Sequence, residues 1–204
     1  MLILISPPRY PTKELDTIIK LFENGLSYFH LRKPNSKKND LEQYIQKIPS
    51  QFWNRIVLHQ HHELTSQFNL RGVHFTSFYR NQLKIEDWQK QCNEFKNKGF
   101  TVSTSTHHFD EVKQVQANCD YVFVSPIFDS ISKTDYLANM DLREEIQHFK
   151  KSATCKLIAL GGVNENNLQE ALAMSFDGVA VLGRVWSNKN DSLSVFRLIQ
   201  DSYY

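Results

Sequence analysis

Net charge is nearly absent from this chain: 24 lysines and arginines face 22 aspartates and glutamates, leaving +2 with histidine neutral. That balance lacks the basic footprint of a nucleic-acid binder. Short basic groups such as Lys37 with Lys38, and Lys150 with Lys151, read as solvated helix or loop positions. Cysteine is scarce too. Cys92, Cys119 and Cys155 are odd in number, widely spaced and form no CxxC pair, which argues against a disulfide framework or a structural zinc site. Long apolar runs are missing. The apolar start at Leu2, Ile3, Leu4 and Ile5 has no basic region before it and stops at Ser6 and Pro7. It is too short for a signal peptide or a membrane span and reads as a buried first strand. With no targeting segment, the expected compartment is the cytoplasm. GxGxxG and HExxH are also missing, so neither a dinucleotide fingerprint nor a zincin helix is present. No internal repeat, low-complexity tract or linker stands out.

What is present is alternation. The 204 residues, 41% of them hydrophobic, suffice for one core. Short apolar runs predict strands at 2–5, 28–32, 55–59, 72–75, 101–103, 121–125, 156–160 and 178–182. Several are rich in Val and Ile without interruption, as strands buried on both faces are. Helical patterns lie between them, at 14–24, 40–48, 62–68, 85–98, 110–116, 141–149, 165–174 and 192–202. The first puts Leu15, Ile18, Ile19 and Phe22 on one face, with Gly25 as its stop. Asn164 is the expected N-cap of the seventh, with Asn167 at its third position. Strand and helix alternating in this way predict an α/β protein, a single (β/α)8 TIM barrel over residues 1–204; an open doubly wound sheet is the alternative. The least regular stretch is 128–140, which reads as an active-site loop.

In such a barrel, function gathers at the strand C-termini. Gly161 and Gly162 follow the seventh strand, and Gly183 with Arg184 follows the eighth. Glycine turns there let backbone N–H groups approach an anion, and these two loops are the usual phosphate cradle of the fold. Read blandly, they are two tight turns. On strand two, His30 and Arg32 share one face by period-two alternation. Arg32 is either a clamp for a carboxylate or phosphate, or half of an internal ion pair. After strand five, His107 is a candidate general acid/base or a helix cap, and its neighbour His108 must face the other way. His59, His61, His62 and His74 lie on or just after strands three and four. Without matched carboxylates they read as pocket lining rather than a metal site.

These segments resemble the thiamin phosphate synthase/TenI family along nearly the whole chain. The resemblance rests on His30-Leu31-Arg32, on Gly72-Val73-His74-Phe75, on Ser105-Thr106-His107 and on the run from Asp120 to Phe128. Ser130, Ser132 and Lys133 fall where the family has T-x-T-K, and Ala159 to Val163 where it has A-I-G-G-I. The resemblance implies a TIM barrel that binds a phosphorylated thiazole, with neither nucleic acid nor membrane as a partner. Synthases of the family join hydroxymethylpyrimidine diphosphate to thiazole phosphate and hold Mg²⁺ with two aspartates. At those positions this chain has Gln60, beside His59, and the run Ser77, Phe78, Tyr79; a lysine that grips diphosphate becomes Pro34. A hard Mg²⁺ would lose both anionic ligands.

These departures point toward the TenI branch: a thiazole tautomerase needing no cofactor, with catalytic His107, Arg32 and Lys133. The expected substrate-binding residues are His30, Arg32, His59, Ser130, Ser132, Lys133, Gly161, Gly162, Gly183 and Arg184. The alternative is a synthase in which Asp129 or Asp135 supplies oxygen to Mg²⁺ and Lys33 and Lys133 replace the missing lysine. A non-catalytic thiazole-phosphate binder is the third reading.

Overall fold

The computed structural model describes residues 1–129, 140–187 and 191–204. Eight parallel strands close into a barrel in sequence order, β1 (Leu2–Ile5), β2 (Phe29–Leu31), β3 (Ile56–Leu58), β4 (Gly72–Phe75), β5 (Thr101–Thr106), β6 (Tyr121–Val124), β7 (Lys156–Ala159) and β8 (Gly178–Val181), with β8 pairing back to β1. The open-sheet alternative is thereby removed. Helices α1 (Glu14–Glu23), α2 (Lys38–Gln46), α3 (Glu63–Gln67), α4 (Ser77–Arg80), α5 (Ile85–Asn97), α6 (Phe109–Val115), α7 (Met140–Lys150), α8 (Leu168–Ala173), α9 (Gly183–Trp186) and α10 (Ser192–Tyr203) fill the connections. No helix among the described residues is long and apolar enough to cross a membrane.

Side-chain alternation along each strand divides the core in two. One set, with Leu4, Phe29, Leu58, Val73, Val122 and Leu157, packs outward under the helices. The other set, with Ile3, Ile5, Tyr121, Phe123, Ile158 and Ala180, fills the barrel. The inward set also includes His30, His74 and Ser103, all buried, so this barrel carries a polar sector on β2 to β5.

Two local departures have clear causes. Strand β5 runs to Thr106, past the predicted end at residue 103. Its Thr-Val-Ser-Thr-Ser-Thr sequence hides a strand because the hydroxyls are satisfied laterally: Thr104 Oγ1 donates to the Phe75 carbonyl at 2.6 Å and Thr106 Oγ1 to the Phe123 carbonyl at 3.0 Å. At α8 the regular helix starts only at Leu168, but the expected cap is present one turn earlier: Asn164 Oδ1 accepts from the Asn166 N–H at 2.8 Å, and Asn167 Oδ1 accepts from the Asn164 N–H at 2.8 Å. The amide nitrogens of both side chains also reach back to the Gly162 carbonyl, at 3.1 Å from Asn164 and 3.0 Å from Asn167.

Candidate active site at the barrel mouth

Strand β2 delivers Arg32 to the barrel mouth. The backbone there is pinned to β1, with Arg32 N–H donating to Ser6 Oγ at 2.8 Å and Ser6 Oγ–H returning to the Arg32 carbonyl at 3.1 Å. The guanidinium is half-buried and makes no ion pair or side-chain hydrogen bond among the described residues, so the internal ion pair open to it in the sequence does not form. Burial lowers its pKa, the signature of a cation short of partners.

Beside Arg32 stand three enclosed imidazoles. Register pairs Leu31 with Leu58, so His59 lies next to Arg32 at the strand ends. His30 Nδ1 is 2.9 Å from His59 Nε2, and His30 Nε2 is 2.7 Å from the Tyr121 hydroxyl. His74 is held by two hydroxyls, Ser103 Oγ at Nδ1 and Ser105 Oγ at Nε2, each at 2.9 Å. Burial depresses all three pKa values, that of His30 to about 3. The rings are therefore neutral at pH 7. Residue His30, expected to touch substrate, is instead fully enclosed with both ring nitrogens taken, so it reaches the mouth only through His59. His61 and His62 turn away, each bonding a backbone carbonyl, at Ser36 and at His74.

The end of β5 presents His107, half-buried, while His108 is exposed. His107 Nδ1 lies 2.9 Å from the Ser125 carbonyl. A carbonyl only accepts, so Nδ1 carries the proton and Nε2 keeps its lone pair in the neutral ring.

Across the mouth, Gly161 and Gly162 take φ values of 95° and 67°, in the left-handed region. A Cβ on Gly162 would lie 2.2 Å from the Asp129 carbonyl, so the turn is pressed against the loop after β6. The Gly161 and Gly162 amides donate no hydrogen bond among the described residues and remain available to an anion. Helix α9 starts at Gly183 and adds amides without intrahelical acceptors. Arg184 ties the two loops together: its Nε bonds both Glu165 carboxylate oxygens, at 2.9 and 2.8 Å, and its Nη2 bonds Glu165 as well. It thus shapes the cradle, with those nitrogens spent on Glu165.

Lys33 does not replace the missing diphosphate lysine. Its ammonium is fully buried, bonded to Glu14 at 2.7 and 2.8 Å and to the Pro7 and Arg9 carbonyls at 2.9 and 2.6 Å. It locks the β1–α1 loop onto β2. Ser130, Ser132, Lys133 and Asp135 lie outside the described residues.

The magnesium expectation fits poorly here. The positions of the two family aspartates hold Gln60 and the start of α4. Near the mouth, Glu14 pairs with Lys33, Glu111 with Arg80 and Glu165 with Arg184. Among the described residues the donors around Arg32 are imidazoles and a guanidinium. The one described carboxylate of the two expected replacements is Asp129, whose backbone packs on the Gly162 turn, and a single carboxylate does not make the anionic pair that the family uses for Mg²⁺.

Comparison with known proteins assigns this geometry to a lineage. The sequence profile described as thiamine monophosphate synthase matches residues 2–185. A thiamine-phosphate synthase of Staphylococcus saprophyticus is 22% identical over 93% of this chain and 89% of its own length. One from Oceanobacillus iheyensis is 29% identical over 85% of this chain and 84% of its own. The crystal structure of a thiamine phosphate pyrophosphorylase from Bacteroides thetaiotaomicron superposes with a TM-score of 0.75 at 31% identity, covering 99% of this chain and 96% of that one. A 3-hexulose-6-phosphate synthase shares the fold, with a TM-score of 0.71 at 12% identity.

Proposed function

The chain belongs to the thiamine monophosphate synthase family, and from that premise we propose that it is a thiamine-phosphate synthase, joining a pyrimidine diphosphate to a thiazole phosphate at the barrel mouth. The observation that carries this reading is the Arg32 guanidinium, without an ion pair among the described residues, standing in the same mouth as glycine amides that donate no hydrogen bond among those residues. Two anion-binding regions suit a reaction between two phosphorylated molecules.

In this reading the Gly161, Gly162 and Gly183 amides hold the thiazole phosphate. Arg32 takes charge on the diphosphate. The thiazole nitrogen lone pair forms a C–N bond to the pyrimidine methylene as its C–O bond to diphosphate breaks, and the leaving group carries that electron pair. Negative charge grows on the leaving oxygen, and a fixed cation stabilises it most at that moment. Ser130, Ser132 and Lys133 are the residues proposed to grip the departing diphosphate. No step is drawn through a metal ion, because the described donors do not fit Mg²⁺.

The TenI-type tautomerase is a second reading with its own support. With Nδ1 bonded to the Ser125 carbonyl, His107 has Nε2 as the ring nitrogen left for a ligand at the mouth, as a proton-transfer residue needs. The comparisons carry synthase names and lend that branch nothing. Parallel assays decide: purified protein is given either the two coupling substrates or the carboxylated thiazole phosphate alone. Release of diphosphate with a thiamin phosphate product supports the synthase. Isomerisation of the lone thiazole supports the tautomerase. Binding without turnover of either supports a non-catalytic role.

A further inference from the structure

Beneath the mouth lies a chain of hydrogen bonds that the coupling chemistry does not require. It runs from the Tyr121 hydroxyl to His30 Nε2 at 2.7 Å, and from His30 Nδ1 to His59 Nε2 at 2.9 Å. It ends at His59 Nδ1, which is buried and has no partner among the described residues. We propose that Tyr121 is a positioning residue: acting through His30, it fixes the tautomer of His59 so that His59 offers an Nδ1–H donor to an acceptor atom on the ligand. This rests on the reading of the mouth as the ligand site.

The argument is a count of protons. A neutral imidazole has one N–H and one lone pair, on opposite nitrogens. Each bond in the chain needs one donor and one acceptor. Therefore His30 and His59 must hold their protons on the same-named nitrogen: both on Nδ1 if the phenol donates, both on Nε2 if it accepts. A phenol is a good acid, and an imidazole nitrogen is a better base than a phenol oxygen. The phenol donates, His30 passes the polarity on, and His59 ends as an Nδ1–H donor. Burial keeps both rings neutral, so the chain transmits a tautomer rather than a charge. A buried donor without an acceptor is unfavourable, and a ligand lone pair beside the charge on Arg32 satisfies it.

The same three rings also bring ligand nitrogens of His30, His59 and His74 within 4.8 Å of one another, a spacing that suits a metal ion. Two features favour the relay. A metal lies in the plane of each imidazole that binds it, yet the His59 and His74 rings stack face to face, centroids 4.1 Å apart and planes 27° apart. Both nitrogens of His74 are, moreover, already held by the Ser103 and Ser105 hydroxyls.

Long-range ¹H–¹⁵N spectra of the full-length, ¹⁵N-histidine-labelled protein at pH 7 test this directly. His30 and His59 should both appear neutral and both Nδ1-protonated. In Tyr121→Phe, the His59 signals should move toward a mixture of tautomers, although residue 121 does not touch His59. Inorganic diphosphate should then bind about tenfold more weakly, the worth of one hydrogen bond, with the thermal midpoint recorded alongside. Opposite tautomers at the two rings in the unsubstituted protein would overturn the proposal without any variant. So would a His59 tautomer that ignores Tyr121→Phe, or Zn²⁺ shifting all three rings at stoichiometric amounts. Failure of diphosphate to bind the unsubstituted protein would sink the reading of the mouth, while matched tautomers in the free protein would still uphold the relay.

Discussion

His107 donates its Nδ1–H to the carbonyl of Ser125, 2.9 Å away on the neighbouring strand end. That bond makes the imidazole a directed base: its orientation and its tautomer are set by backbone, and only Nε2 is left to meet a ligand. His108 points outward and shares none of this.

His107→Gln should lower turnover by about 10²-fold or more if His107 transfers a proton in the reaction, with ligand affinity almost unchanged because the glycine amides are untouched. His108→Gln should change neither. Steady-state kcat and KM for both variants check this. Unaltered kcat in His107→Gln would leave the residue as a strand-end brace.

Lys33→Met should destabilise the fold by about 3–5 kcal/mol, since it abandons the buried Glu14 carboxylate. Lys33→Met with Glu14→Leu should recover most of that loss. Denaturant titration of the three proteins measures it. A Lys33→Met protein that is stable but binds diphosphate poorly would return Lys33 to the ligand site.

Gly162→Ala should cost about 1–3 kcal/mol, because a Cβ would press on the Asp129 carbonyl at 2.2 Å and the residue sits at φ 67°. Thermal unfolding of Gly162→Ala, beside Gly99→Ala whose Cβ meets nothing within 4 Å, isolates the packing effect, since both glycines have positive φ.

The enclosed imidazoles make the fold acid-sensitive. Burial holds His30 at about 3 and His62 at about 4, against about 6.5 for a histidine in an unfolded chain. Between those limits the unfolded chain binds protons that the folded one refuses. Stability from these groups is complete above pH 6.5 and falls as the pH drops, by about 1.4 kcal/mol per pH unit for each ring. Unfolding free energies at pH 7.5, 6 and 5 should show the fall, and His30→Gln should make it shallower. A flat profile would mean the rings are not buried in solution.

The barrel was legible in the sequence because apolar runs and helical patterns alternate with turn residues at every junction. All eight strands lie where that alternation puts them. Helix α4 and the single turn α9 were missed, being four residues each and too short for any periodicity to register. The placement of Arg32, His107 and the glycine turns at the strand ends was readable from sequence position alone. The burial of His30 was not: sharing a face with Arg32 says that it points inward, not how deep it lies. The capture of Lys33 by Glu14 was equally hidden, because that pair joins a strand end to a helix 19 residues earlier in the chain.

The central claim is that this mouth couples two phosphorylated substrates and that Arg32 carries charge on the leaving diphosphate. The direct measurement is diphosphate release from the two coupling substrates by the unsubstituted protein and by Arg32→Met. The account predicts release that depends on both substrates, with kcat/KM reduced at least about 10²-fold in Arg32→Met and thermal stability maintained or raised, since a cation short of partners has been removed. Equal rates for the two proteins, or no release from the unsubstituted protein while it isomerises the carboxylated thiazole phosphate, would contradict it.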